Sequence, residues 1–150
     1  MKDVSQSAGF NDVVTIAKTF EFSASHRLFR PEWSDEKNRR IFRKCANENG
    51  HGHNYQLEVV VGGSPDPETG MVFDASLLDQ LVTEYILAEL DHKNLDRDVL
   101  WHAGTIASSR NLVLAIWNRL APALESFPAS LERIRLWETS RIFAEYSGPR

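Results

Sequence analysis

Residues 50–61 read Gly50-His51-Gly52-His53-Asn54-Tyr55-Gln56-Leu57-Glu58-Val59-Val60-Val61. Tyr55, Leu57, Val59 and Val61 alternate with Asn54, Gln56 and Glu58, the period-two pattern of a strand with one buried face. His51 and His53 keep the parity of the apolar set, so two imidazoles share that face. Upstream, Val13 to Ala24 alternates in the same way, with Ile16, Phe20, Phe22 and Ala24 on one side and Thr15, Thr19, Glu21 and Ser23 on the other. His26 has the parity of Phe20, Phe22 and Ala24, so a third imidazole points to the apolar side if the strand persists.

Downstream, Gly62-Gly63-Ser64-Pro65-Asp66-Pro67 ends the strand and Thr69-Gly70 belongs to a turn. Asp74 is placed to cap a helix running to about Leu90, whose apolar stripe is Leu77, Leu78, Leu81, Val82, Tyr85 and Ile86. A second helix is expected from Ser109 or Asn111 to Leu120, stopping before Pro122 and burying Val113, Ile116, Trp117 and Leu120. Two further strands, Leu131 to Glu138 and Arg141 to Tyr146, close the chain. Strands at both ends with helices between them predict an α+β domain, one antiparallel sheet with helices on one face.

Composition sets the outer limits. At 150 residues, with 42% hydrophobic and 25% charged, the chain reads as one globular domain, residues 1–150. Disordered, collagen-like and transmembrane classes are excluded, the last because no run approaches about 18 apolar residues. Residues 1–12 lack a signal peptide's apolar run and are expected to be a flexible N-terminal tail, which places the protein in the cytoplasm. The single cysteine, Cys45, forms no internal disulfide.

A net charge of −4 argues against a nucleic-acid binder. Between Arg27 and Lys44, however, seven basic residues stand against three acids. That segment is either a solvated loop or an attractor for a small polyanion such as a phosphorylated substrate.

Neutral imidazole is a good Zn²⁺ ligand, and three protein ligands with an open fourth position are the arrangement of a catalytic zinc. The run Gly50-His51-Gly52-His53 entering a strand, with His26 placed by parity, favours such a metal centre over three separately satisfied core histidines. His102 has no partner in the pattern and reads as a surface or packing residue. Cys45 follows Arg43 and Lys44, and nearby cationic charge is one of the ways a thiol is made available as thiolate. It reads as a nucleophile or base, as a small buried apolar residue, or as a fourth ligand that would close the metal site. Asp91-His92, at the end of the first helix, is an acid beside an imidazole, suited to proton transfer or to ordinary capping. Glu138 shares the parity of Ile134 and Leu136, so a carboxylate sits where the apolar face should continue. Such a group is costly unless paired, and it meets a ligand with two adjacent N–H donors, pairs with one of the neighbouring arginines, or is simply exposed at the strand end.

Five segments taken together carry a resemblance: Phe22-Ser23-Ala24-Ser25-His26-Arg27-Leu28; Lys44 to Tyr55 with its Cys45 and Gly50-His51-Gly52-His53; Thr69-Gly70-Met71-Val72; Leu90-Asp91-His92-Lys93-Asn94-Leu95-Asp96; and Trp137-Glu138-Thr139. In this order, from Thr19 to Tyr146, the chain resembles the 6-pyruvoyltetrahydropterin synthase family. The resemblance implies the tunnelling fold, a four-stranded antiparallel sheet with two helices in ββααββ order. It also implies a homo-oligomer, a trimer or a hexamer of two trimers, with active sites at subunit interfaces.

Carried over residue by residue, the resemblance implies zinc ligands at His26, His51 and His53, and a proton-transfer group at Cys45, Asp91 and His92 with Cys45 as base. It implies a pterin anchor at Glu138 assisted by Thr139, with Ser108 and Ser109 in the pterin pocket. The implied activity is a zinc-dependent lyase that converts 7,8-dihydroneopterin triphosphate to 6-pyruvoyltetrahydropterin and releases triphosphate. The family usually has a polar pair followed by Glu before the second helix; here Ser108-Ser109-Arg110 ends in a side chain that accepts no hydrogen bond.

Within the family the rival is 6-carboxytetrahydropterin synthase of the queuosine pathway, which also expels acetaldehyde. The five residues between Cys45 and His51 and the long His26 to Cys45 interval lean toward the pyruvoyl enzyme. Outside it stands a non-catalytic, zinc-stabilised binding or assembly module, in which Cys45 closes the metal site and Asp91-His92 caps a helix.

Overall fold

The computed structural model describes residues 13–150; the expected N-terminal tail lies outside the described residues. The chain runs β1 (Val14–His26), α1 (Asp35–Phe42), β2 (His51–Gly63), α2 (Ala75–Val82), α3 (Ala88–Leu90), β3 (Lys93–Asn94), α4 (Ser109–Leu124), β4 (Ser130–Thr139) and β5 (Ile142–Tyr146). The sheet order is β3-β1-β2-β4-β5, antiparallel except for the β1–β3 pair. The α+β class and the one-sided layering are as expected.

β1 and β2 pair without a slip from Val14↔Gly63 to His26↔His51, so Ala24 faces His53 across the ladder. Phe20, Phe22, Ala24, Tyr55, Leu57, Val59, Ile134 and Leu136 form the buried face, and Phe22 stacks on Tyr55 with ring centroids 4.9 Å apart. Against it pack Leu78, Val82, Ile86 and Leu90 from the first helical stretch and Leu112, Ile116, Leu120 and Leu124 from α4. Each buried aliphatic side chain contributes about 1.5–3 kcal/mol, so the two amphipathic helices and the sheet hold each other. Asp74 caps α2 by accepting from the Ser76 N–H, as its position predicts. Among the described residues no helix is long and apolar enough to cross a membrane.

Four features depart from the expectation. The sheet has five strands rather than four, because the two-residue β3 adds to β1 in parallel, too short for any periodicity to announce it. α1 forms inside a stretch expected to be a polar loop. Its stability comes from its ends: Ser34 accepts from Lys37 N–H, while Asp35 and Glu36 in the first turn and Arg39 and Arg40 in the last complement the helix dipole. α4 continues past Pro122 to Leu124. Proline in the last turn forfeits one hydrogen bond, and full burial of Leu120 and Leu124 on the core side keeps the turn helical. Between α2 and α3 a π-helical turn, Thr83–Leu87, carries the helix onward, and the Tyr85 carbonyl there accepts from Arg119 Nε at 2.7 Å.

Arg43 follows α1 with φ 52° and ψ −129°, a conformation that favours glycine. Arg43→Gly is expected to stabilise the protein. Relief of about 1–3 kcal/mol of backbone strain outweighs the roughly 0.5–1 kcal/mol of extra chain entropy that glycine adds to the unfolded state. A urea midpoint at or below that of the wild type contradicts this account of the turn.

Candidate active site

β1 and β2 both end at the histidines. The unslipped ladder places His26 opposite His51, and period-two geometry puts His53 on the same face one pair further in. Gly50 makes the approach possible. It has φ 68°, and a Cβ on it would lie 2.7 Å from the His26 carbonyl oxygen.

His26 is buried, and its Nδ1 is 2.6 Å from the Ala107 carbonyl, so Nδ1 carries the proton and the Nε2 lone pair faces inward. His51 Nε2 lies 3.0 Å and His53 Nε2 3.1 Å from His26 Nε2. Three imidazole nitrogens meet at these distances in one compact donor set. A tetrahedral cation with bonds of about 2.0–2.1 Å spaces its nitrogens about 3.3 Å apart, so the donor set fits a metal ion. Glu138 Oε1 stands 3.2 Å from His53 Nε2, and the four residues present ligand atoms that all lie within 4.8 Å of one another.

Ser109, the first residue of α4, donates its hydroxyl to Glu138 Oε2. The carboxylate that interrupts the apolar parity of β4 is therefore held by a helix hydroxyl and a histidine, and not by the arginines of its own strand. Arg133 and Arg135 instead pair with Glu58 and Glu145 on the opposite face.

Burial pulls the His51 and His53 rings below the usual imidazole pKa. At His51 the neighbouring His26 adds to this, and Glu138 and Asp96 oppose it. At His53 Glu138 is the main opposing charge, while His26 and His51 lower it further. Neutral rings are the form a metal needs. Tyr55, buried beneath the cluster with its hydroxyl 3.5 Å from His26 Nδ1, has its pKa raised by burial and stays protonated.

The remaining expected site residues are not members of this ligand group. Cys45 sits half-buried in a 3-10 turn, Arg43–Ala46, where its carbonyl accepts from Leu28 N–H at 2.8 Å. The fourth member of the ligand group is Glu138, not Cys45. Asp91 and His92 do touch: His92 Nδ1 is 3.0 Å from Asp91 Oδ1. The pair is docked on β1, with Ser23 N–H donating to Asp91 at 2.9 Å and His92 N–H donating to the Ser23 carbonyl at 2.6 Å. The Ser23 bond is the main reason the Asp91 carboxyl lies below its usual pKa. The His92 ring is 82% exposed and borders a shallow depression lined also by Ser23, Ser25, Asn54 and by His53 of the cluster.

Ser108 caps α4 by accepting from Asn111 N–H, and Thr139 accepts from Arg141 N–H in the β4–β5 turn. His102 is a packing residue, buried beside Trp101. Two contributors were not foreseen. The Ala107 carbonyl, a backbone group, leaves no mark in a sequence. Asp96 accepts from Arg27 N–H at 2.6 Å; the repeated acids of Leu90 to Asp96 were the available sign.

Fold and cluster together define an α+β protein whose sheet ends in a cluster of three histidines and a neighbouring carboxylate that could hold a metal ion. The family model described as 6-pyruvoyl tetrahydropterin synthase matches residues 15–149, and the chain belongs to that family. It is 45% identical over 134 residues to the 6-pyruvoyl tetrahydrobiopterin synthase of Poecilia reticulata, covering 89% of each chain. The solved 6-pyruvoyl tetrahydropterin synthase of Caenorhabditis elegans superposes with TM-score 0.85 at 36% identity, over 92% of this chain and 97% of that one. The 6-carboxy-5,6,7,8-tetrahydropterin synthase of Rickettsia bellii is more distant, 26% identical over 149 residues, with 89% of this chain and 99% of that one covered.

The lowered His51 and His53 pKa values make the metal-free fold acid-sensitive. As pH drops below 6.5, the unfolded chain takes up protons at these rings before the folded one does. The relative stability is therefore present above 6.5 and is lost as pH falls through the folded values. Thermal melts of the metal-free protein across this range are expected to show a falling Tm that flattens in the His51→Gln/His53→Gln variant. Equal slopes in the two proteins would contradict the assignment.

Proposed function

We propose that the chain is a zinc-dependent lyase that converts 7,8-dihydroneopterin triphosphate to 6-pyruvoyltetrahydropterin and inorganic triphosphate. The convergence of the His26, His51 and His53 Nε2 atoms, in a chain of this family, carries the reading. Three imidazoles are a borderline-soft donor set suited to zinc, with room for substrate oxygen. His26, His51 and His53 would hold the ion, which would supply Lewis acidity toward the hydroxyls of the substrate side chain.

The remaining work falls to side chains. Glu138, fixed by the Ser109 hydroxyl, presents a carboxylate able to accept from the pterin ring N–H and exocyclic amine in bidentate fashion, with Thr139 and Ser108 flanking it. Asp91 holds His92 through Nδ1, leaving the opposite ring nitrogen to exchange protons at an exposed surface. Cys45 supplies the base. The position of Cys45, Asp91 and His92 outside the ligand group, with the His92 ring exposed, supports a homo-oligomer, a trimer or a pair of trimers, in which a neighbouring copy completes the site. The greater likeness to the pyruvoyl enzymes favours this product over 6-carboxytetrahydropterin, and the exclusion of Cys45 from the ligand group disfavours a closed structural metal site.

Incubation of the zinc-loaded protein with dihydroneopterin triphosphate, followed by mass spectrometry, is expected to give the pyruvoyl product and triphosphate. Release of acetaldehyde with a carboxy product would transfer the assignment to the rival reaction. Cys45→Ala is expected to keep its zinc, measured by elemental analysis, and to lose roughly 10²–10⁴-fold in kcat, the usual contribution of a general base. Loss of metal and fold in that variant would instead mark a structural thiolate ligand.

A further inference from the structure

A groove of about 440 Å³, within the usual range of small-molecule sites, runs between α4 and the loop that carries Trp101 and His102. Arg110, Leu114, Ala115 and Asn118 supply its helical wall, at the spacing of one helix face. None of the cluster residues His26, His51, His53 and Glu138 lines it. Thr105 and Asn111 form a wall shared with a separate cleft on the Arg27 and Gly50 side.

His102 is buried, and its Nε2 has no hydrogen-bond partner among the described residues. Burial holds the ring below the usual imidazole pKa, against the opposing charge of Asp96, so the ring is neutral. A buried polar atom left unpaired is costly, and a ligand in the groove that His102 lines can pair it. Arg110 sets the charge of such a ligand. It is the second residue of α4, whose first turn holds no acid, so its cation works against the helix dipole. Among the described residues no carboxylate pairs with it, and its Nη1 donates to the Asn111 side-chain oxygen at 2.9 Å, which leaves the Nε edge of the guanidinium free. Arg119, the other cation of the groove, is committed to the Glu89 carboxylate and the Tyr85 carbonyl. No aspartate or glutamate among the described residues lines the groove, in a chain of net charge −4. One free guanidinium at a helix N-terminus suits one carboxylate, held by two parallel bonds, whereas a dianionic phosphate calls for a second cation. Trp101, Leu114 and Ala115 offer apolar surface to the body of the ligand, and the indole favours a flat ring.

We propose that this groove is a binding site for a small aromatic carboxylate, with Arg110 holding the carboxylate and His102 Nε2 meeting a hydrogen-bonding group on the ring. The site is separate from the histidine cluster and stands independently of the lyase reading above.

Titration calorimetry of the zinc-loaded full chain with 6-hydroxy-2-naphthoate and with 2-naphthoate tests both contacts without turnover. The hydroxy compound is expected to bind the wild type about fivefold more tightly, the usual gain of one neutral hydrogen bond. His102→Phe, which keeps an aromatic ring and removes the nitrogen, is expected to abolish that difference. Arg110→Gln is expected to weaken both compounds about tenfold or more. Arg40→Gln, the same charge change at an exposed position of α1, is expected to alter them less than about twofold. Removal of the zinc with a chelator is expected to leave both affinities unchanged.

The proposal is overturned if the wild type binds neither compound at millimolar concentration, if Arg110→Gln binds them as the wild type does, or if Arg40→Gln weakens them as much. It is also overturned if the wild type holds the two compounds equally or if the preference for the hydroxy compound survives in His102→Phe. Binding that disappears with the zinc would move the compounds to the histidine cluster and overturn it as well.

Discussion

The unslipped antiparallel pairing of β1 with β2 is the constraint on which the rest depends. Strand side chains alternate with a period of two, so a one-residue slip would turn Phe20, Phe22, Ala24 and His26 to the opposite face. The apolar residues resist that slip because each would forfeit its burial, and the histidines inherit the register that the aliphatic and aromatic residues impose. The convergence of the three imidazoles is therefore fixed by packing free energy generated elsewhere in the sheet, and the imidazoles themselves contribute little to holding it. The three ring nitrogens, at 3.0 and 3.1 Å from one another along the two His26 contacts, are gathered at the end of a ladder whose interior is fully packed.

The start of α4 supplies what the sheet cannot. The segment just before it offers the Ala107 carbonyl to His26, and its first residue offers the Ser109 hydroxyl to Glu138. Both groups are aimed by one rigid element, since Ser108 caps the helix and Leu112 and Ile116 anchor it in the core. A histidine whose far nitrogen is fixed by a carbonyl has a defined tautomer, and a carboxylate held by a hydroxyl has a defined rotamer. Arg119, from the same helix, reaches the Tyr85 carbonyl in the π-helical turn and the Glu89 carboxylate, and Glu89 also accepts from the Trp101 indole at 2.5 Å. The loop leading to Ala107 is thereby tied to the α2–α3 stretch.

Much of this was legible in the sequence wherever a period reports burial. The parity of His26, His51 and His53 with their apolar neighbours placed all three on one face, and Asp74 announced its helix. Parity also showed that Glu138 interrupts a buried face, but not what it meets, because Ser109 and His53 approach from elements far away in the chain. Elements too short to repeat a pattern were invisible, as β3 was. α1 was hidden for a different reason: its stability resides in capping and charge placement and not in an apolar stripe. Pro122 misled because its local cost was weighed without the burial of Leu124 beyond it. Backbone acceptors such as Ala107 have no sequence signature at all.

The contrast between the buried cluster and the exposed Asp91–His92 pair has its own physical logic. His92 adopts φ 59°, a left-handed conformation costing about 1 kcal/mol for a residue that is not glycine. Its N–H to the Ser23 carbonyl and the Asp91 bond to Ser23 N–H offset that cost and lock the pair to the edge of β1. Left in water, both groups keep their solvation. A pair destined for a neighbouring copy's site in the proposed assembly then loses that solvation only when the oligomer forms, when the association itself supplies compensating contacts. His51 and His53 face the opposite demand: an ion is bound by neutral, pre-oriented rings, and partial burial within a single chain lowers the pKa of both. One sheet meets both demands because its inward face ends at the histidines while its edge and outward face stay open to solvent.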